Sequence, residues 1–444
     1  MAVVYRLFPA ALALTAFTAL AILYLSGHYA LYGGVLGGWG VESFRFPFLD
    51  ASGALAAWDC TRLGIDVIVH DPCDVLDSSY NYSPLWMSLA ALPLGRADAG
   101  LVGLALDLLF LGSLALLPPA RWPFELVLVI LATLSSTVAF AIERANADLL
   151  IFLLALAFGF LSVRSLPARI AAYGLALAAA LIKYYPLALL VLLVRERLAV
   201  FVAVVVATVT VLAAFAAGYA SEVARGIPMI PGGPYYSGFF GAKNLPFLLG
   251  DMIGHLGPPS PVLAAARAAA IATLLGALLL AAAAIARLLL RSPAVSAARQ
   301  GLGALEGNLL VIGSALVVGC FFAGQNIVYR GVFLLFVLPG LLGIARNMSD
   351  AGLRRLLIGT GAAIVLLLWQ EFFRLSLYAL PARLGLSDRA TFTVYALFWL
   401  SRELAWWWMI AVLVWVLLDF GTNSAVARTA TTKIRALQPK LRRA

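Results

Sequence analysis

The sequence predicts an all-α fold, a polytopic integral membrane helix bundle, and three observations carry that prediction. Of the 444 residues, 63% are hydrophobic and only 12% are charged, against roughly 25% charged in an average soluble domain. Apolar runs of about 15 to 25 residues recur along the chain, close to the length a helix needs to cross the hydrocarbon layer. Lys and Arg gather in short turns between those runs and in the C-terminal tail, where the positive-inside rule puts cytoplasmic segments. The net charge of +10 therefore reads as topology: the partner is a lipid bilayer, and nucleic acid is not expected. About 11 to 13 transmembrane helices are expected in a single domain over 1–420, followed by a basic cytoplasmic tail over 421–444.

The elements follow in order. Residues 7–25 form the first helix. It is read as an uncleaved span, because no small-residue cleavage site is clear and many spans follow. With Arg6 ahead of it, the first loop (26–82) is external, and a loop this long between spans implies a task. Within it, ASGALAAWDCTRLG has apolar residues at helical spacing, as in a helix lying at the interface. Residues 83–95 are too short to span and are taken as a half-span. That reading, unlike a full crossing, puts Arg121, Arg164, Arg169, Arg195, Arg197 and most later arginines on one side. Runs at 99–117 and 124–142 follow.

Residues 170–194 are either one helix or a pair broken at Lys183 to Pro186. Proline favours the break, since it removes a donor and clashes with the preceding turn, and the break also keeps both flanking arginine clusters cytoplasmic. A span at 198–216 precedes a second external loop (218–261) dense in Gly, Pro and aromatics. Further spans are expected at 262–286, 305–323, 331–345, 356–373 and 392–418. No fixed-period repeat is present.

Of the three cysteines, Cys60 and Cys73 share the first loop and are close enough in sequence to pair in an oxidising compartment, while Cys320 lies in an apolar run. No CxxC or paired Cys/His spacing points to zinc. No cofactor is identified, and a weakly held divalent ion near Asp50 stays open.

Polar residues that border apolar runs are expensive near a bilayer, so they read first as a functional site. Asp50 is either a general base, its pKa raised by partial desolvation, or a helix N-cap. Tyr82 lies in YNYSPLW, which also reads as a membrane-entry belt. Glu143, Arg144, Asn146 and Asp148 crowd into ERANADLL, a charged cluster or an interhelical turn with a local ion pair and an N-cap. Lys183 either contacts phosphate or snorkels to the interface. Lys243 and Asn244 precede a helix start, where free N–H groups favour anions. Gln325, Asn326, Tyr329 and Arg330 meet at another helix junction. Carboxylates facing several cations on the non-cytoplasmic side suit a membrane enzyme that handles a lipid-linked phosphosugar.

The order of these motifs resembles glycosyltransferase family 87, polyprenyl-phosphate-dependent enzymes of the GT-C class that include bacterial mannosyltransferases. The likeness covers most of the chain: Asp50 in the first external loop, then Tyr82-Ser83-Pro84-Leu85, then Asn146 before a Leu-rich helix. Lys183 and Pro186 ahead of Arg195 to Arg197 follow, and then Asn244. Ser83 stands where the family has a first proline, Glu143-Arg144 where it has Gln, and residues 326–330 where it has a His-rich motif.

The resemblance implies a GT-C-like fold in the plasma (inner) membrane with an extracytoplasmic active site. The donor would be a polyprenyl-phosphate sugar and the acceptor a glycolipid or glycan. Asp50 would act as general base in an inverting hexosyl transfer of the mannosyltransferase kind, with Arg144, Lys183, Lys243 and Arg330 stabilising the departing phosphate. The rival readings are a flippase or transporter of lipid-linked precursors, which would place polar groups at the midplane, and an O-antigen ligase- or polymerase-like enzyme using a pyrophosphate donor.

Overall fold

The computed structural model describes residues 2–44, 46–77, 80, 82–230, 232–235, 237–258 and 260–429. The helices are α1 (Ala2–Leu25), α2 (Tyr29–Gly38), α3 (Leu49–Arg62), α4 (Ala99–Ser113), α5 (Pro123–Thr133), α6 (Ser136–Arg144), α7 (Ala147–Ser162), α8 (Leu166–Ile182) and α9 (Leu198–Gly226). After them come α10 (Asn244–Gly254), α11 (Pro261–Arg291), α12 (Pro293–Gln300), α13 (Ala304–Ala323), α14 (Leu334–Asn347), α15 (Ala351–Leu368), α16 (Gln370–Leu384) and α17 (Asp388–Thr422). The sheet among the described residues is one antiparallel pair of two-residue strands, β1 (Phe239–Phe240) and β2 (Asn326–Ile327).

The molecule is an all-α membrane helix bundle. Nine helical segments among the described residues are long and apolar enough to cross a membrane, and the apolar helices 147–162, 166–182 and 185–195 are shorter. The chain folds around α13 and the segment ending in α14, whose apolar windows are 72% and 89% buried. The windows in 198–229 and 261–291 are each 6% buried and form the periphery. Small residues let the central pair approach closely, as in other membrane interfaces. A Cβ at Gly313 would stand 2.8 Å from the Val337 side chain, and one at Gly340 2.8 Å from that of Leu310. Stacked rings fill the space around them, Phe152 on Phe336 at 4.2 Å and Phe240 on Trp406 at 4.3 Å.

Several boundaries differ from expectation. Residues 84–91 form a 3-10 segment (Pro84–Ala91) begun by Pro84, with Ser83 accepting from the Leu85 amide. Proline at the first position is favoured because its missing N–H would have no partner there. The 170–194 run is broken: Lys183 is extended, and Pro186 opens a 3-10 segment (Tyr185–Arg195). The second loop was expected from 218, yet α9 continues to Gly226, with non-helical backbone at Tyr219. Hydropathy falls at Gly218, and a polar sequence can still be helical. The 124–142 run is two helices, α5 and α6. Helix α10 begins at Asn244, where a helix start was expected, whereas α2 and α12 lie in stretches where no helix was expected and α16 runs on beyond the span expected to end at 373. Of the basic tail, residues 430–444 lie outside the described residues.

Ion pairs collect at one end of the bundle. There Arg346 donates to Glu125 (2.9 Å) and pairs with Glu306 (3.5 Å), Arg169 pairs with Glu196 (2.7 Å), and Arg299 meets Asp419. Glu306 opens α13 and Arg346 closes α14. The other ends of those two helices approach a second polar cluster.

Candidate functional site

Four connections converge at that second rim. The first carries α3, whose N-cap is Phe48 in the left-handed region (φ 66°). Asp50 therefore lies in the first turn and is not the cap. The second is the α6–α7 turn, where Ala145 is also left-handed (φ 43°) and Asn146 caps α7 by accepting from the Asp148 amide at 2.8 Å. A left-handed non-glycine residue costs about 1–2 kcal/mol, and such outliers cluster at functional sites. These two bracket the polar pair that joins their segments. The Phe48 amide donates to the Glu143 carbonyl at 2.6 Å, and the Asn146 side-chain amide donates to Asp50 Oδ2.

The third connection is the break after α8. Lys183 Nζ donates to Asn146 Oδ1 at 3.0 Å and to Asp148 Oδ1 at 2.8 Å, and the Tyr185 hydroxyl donates to the same Asp148 oxygen at 2.6 Å. The Trp86 indole donates to the Ile182 carbonyl at 3.2 Å, which fixes the Pro84–Ala91 segment against this break. Tyr82 presents its ring 5.2 Å from Lys183 Nζ. The fourth connection brings Arg330, whose Nε lies 3.4 Å from Asp148 Oδ2 and whose Nη1 donates to Asn326.

Asp148 and Asn146 are fully buried and Lys183 nearly so, while Asp50 is half-buried. The one carboxylate with partial access is the one that two cations approach without capturing. Burial raises the Asp50 pKa above the ordinary carboxylate value, and the Asn146 hydrogen bond and the charges of Arg144 and Lys183 oppose that rise. Burial likewise pushes the Tyr82 phenol well above its usual range. A carboxylate with a raised pKa is a better proton acceptor than an ordinary one.

An apolar cavity of about 490 Å³ opens beside this cluster, walled by Phe17 and Leu20 of α1, Leu36 of α2 and Leu104 of α4, and reaching Phe48 and Glu143. Glu143 pairs with Arg144 at 3.0 Å, and the Arg144 guanidinium lies over the Phe44 ring at 4.2 Å.

Comparisons with models of protein families, with curated proteins and with solved structures give no match.

The structure thus joins Asp50, Tyr82, Asn146, Asp148, Lys183, Arg330 and Asn326, with Glu143 and Arg144 beside them. Tyr329 reaches the same group through a hydrogen bond with Asn146. It does not bring in the other three. Lys243 is exposed, and its side chain makes no hydrogen bond or ion pair with the described residues. Asn244 donates to the Phe239 carbonyl at 2.9 Å, and Gln325 exchanges two hydrogen bonds with the Gly233 backbone. Together with Arg402, which donates to the Ser237 carbonyl at 2.7 Å, they hold the loop before β1. The reason is local: an Asn or Gln beside irregular backbone satisfies peptide groups before it can serve a ligand.

Two residues escaped the sequence reading. Tyr185 was visible only as part of LIKYYPL. Asp107, with no exposed surface and no hydrogen-bond partner among the described residues, was signalled by a lone carboxylate inside the run LVGLALDLLFLGS. Among the described residues, the grouping close enough to hold a metal ion is Cys60, Asp71 and Cys73. Cys60 and Cys73 are joined as a disulfide, which removes both thiolates.

Proposed function

We propose that this chain is a membrane glycosyltransferase of GT-C type. It moves a sugar from a polyprenyl-phosphate donor to a glycolipid or glycan acceptor, with inversion, at the extracytoplasmic face of the plasma (inner) membrane. The observation that carries the reading is the half-buried Asp50 carboxylate, held by Asn146 beside the Lys183–Asp148–Arg330 group and next to an apolar cavity. In this reading the long and shorter apolar segments all cross the membrane, which puts the four connections of the site on the external side and the arginine network inside.

Asp50 takes the proton from the acceptor hydroxyl as that oxygen attacks the anomeric carbon. The bond to the phosphate oxygen breaks, and the polyprenyl phosphate leaves with the electron pair. Lys183 and Arg330 balance the charge that develops on it, and a single displacement inverts the centre. The apolar cavity takes the start of the prenyl chain.

The test is transfer from radiolabelled polyprenyl-phosphate sugars by the purified protein in lipid. Turnover that disappears in Asp50→Asn supports the reading, and no transfer from any such donor defeats it. One observation favours a transport reading, the wholly buried and unpartnered Asp107 within α4, since intramembrane carboxylates often mark ion or substrate paths. Uptake of lipid-linked precursor into vesicles that depends on Asp107 would select that reading instead.

A further inference from the structure

A second cavity, of about 310 Å³, lies on the other side of the cluster. Its walls come from two elements that sequence distance keeps far apart. One is the first loop, with Asp66, Tyr80 and Tyr82, and the other is the far end of α9, with Tyr219, Glu222 and Arg225. At 1.5 Å per residue the 29 residues of α9 reach about 43 Å, well beyond a hydrocarbon layer of about 30 Å. Its last turns therefore stand clear of the apolar layer, and the non-helical backbone at Tyr219 marks where they begin. Arg225 bonds Asp66 across the gap, and the Cys60–Cys73 disulfide closes the loop segment that supplies Asp66, Val67 and Ile68.

The chemistry of this cavity differs from that of the apolar one. Tyr80, Tyr82, Tyr184 and Tyr219 offer ring faces and hydroxyls, while Asp66 and Glu222 offer acceptor oxygens and Arg225 donors. Aromatic faces pack against the C–H surface of a sugar ring, and carboxylates accept from vicinal hydroxyls. The volume falls at the small end of ligand pockets, which start at about 300 Å³. Tyr82 belongs both to this cavity and to the cluster, where its ring lies 5.2 Å from Lys183 Nζ.

We propose that this cavity binds the terminal sugar of the acceptor, gripped by Tyr219 and Glu222 and directed past Tyr82 toward Asp50. The role of the bound sugar as acceptor rests on the glycosyltransferase reading, whereas the binding itself does not.

The test is saturation-transfer NMR on the full chain in lipid nanodiscs, with methyl α-mannoside, methyl α-glucoside, methyl α-galactoside and methyl N-acetyl-β-glucosaminide as probes. The expected result is transfer to at least one glycoside, at least five-fold weaker in Tyr219→Ala and in Glu222→Gln and retained in Tyr219→Phe. Both weakened variants alter partly exposed positions, and a monodisperse elution profile for each confirms the fold. Signal from no glycoside, or signal that both variants leave intact, overturns the proposal. Sugar binding without any glycosyl transfer supports the cavity and sinks the transferase reading. Transfer activity without sugar binding at this cavity does the reverse.

Discussion

The Asn146 side chain accepts from the Asp148 amide as the cap of α7 and at the same time donates to the carboxylate of Asp50. It ties a helix start to a residue 96 positions away in sequence. Replacing it with Ala removes the cap, worth about 1 kcal/mol, and frees Asp50 to rotate. Asn146→Ala should lower the melting temperature slightly and turnover much more, whereas Asn146→Asp keeps the cap and puts a second carboxylate against Asp50. If Asn146→Ala turns over at the wild-type rate, the orienting role is wrong.

Asp50→Asn should cost about 10²- to 10⁴-fold in turnover, the range general-base catalysis supplies, with little change in stability. Initial rates on the isolated protein measure this. A loss below ten-fold would remove Asp50 from the chemistry.

The pH dependence follows from the burial of Asp50. Its pKa is raised above the ordinary value, about 3.9 for Asp, and in the proposed mechanism Asp50 works as a base only when ionised. Activity should therefore fall as pH drops through a midpoint above that ordinary value, and this acid limb should vanish in whatever residual activity Asp50→Asn retains. An acid limb of unchanged midpoint in that variant would assign it to another group.

Lys183 and Asp148 form a buried pair at 2.8 Å. Removing Lys183 leaves the buried Asp148 carboxylate with Tyr185 and Arg330 alone, a loss at or below the roughly 3–5 kcal/mol of a fully broken buried pair. Lys183→Met should be strongly destabilised in thermal unfolding, and adding Asp148→Asn should recover part of the loss. Additive losses would show that the two side chains are not coupled.

The Cys60–Cys73 bond closes a short loop, and such bonds stabilise by about 2–4 kcal/mol. Reduction, or the Cys60→Ser/Cys73→Ser pair, should weaken the first loop before the bundle. Proteolysis within 63–77 should quicken while the helical signal persists, and equal protease resistance with and without reductant would contradict this.

Gly103 packs under Phe48, where a Cβ would stand 2.5 Å from the ring. Gly103→Val should displace the start of α3 and reduce activity through a residue that touches no part of the polar cluster. Full activity in that variant would mean that α3 can shift without moving Asp50.

Legibility in the sequence was uneven, for physical reasons. The long apolar helices were readable because burial in lipid demands long apolar runs, and the break at Lys183 because Pro186 cannot continue a helix. ERANADLL carried its own ion pair and cap, so its local structure was readable too. Helix α2 was hidden because four of its ten residues are glycines, which read as loop, and the end of α9 because neither hydropathy nor periodicity distinguishes a polar helix from a loop. Lys243, Asn244 and Gln325 looked like the other polar helix-end residues because a list of polar groups does not say which peptide groups lie nearby.

By itself the sequence determined the membrane class, most of the long apolar helices and the polar residues that border them, because hydrophobic transfer and backbone satisfaction act on each segment alone. The tertiary structure decided which of those residues meet. Asp50, Asn146, Lys183 and Arg330 come together because α3 packs on α6, α7 on α8, and both α6 and α7 on the segment that carries Arg330, a matter of side-chain volumes between distant segments that no local pattern records.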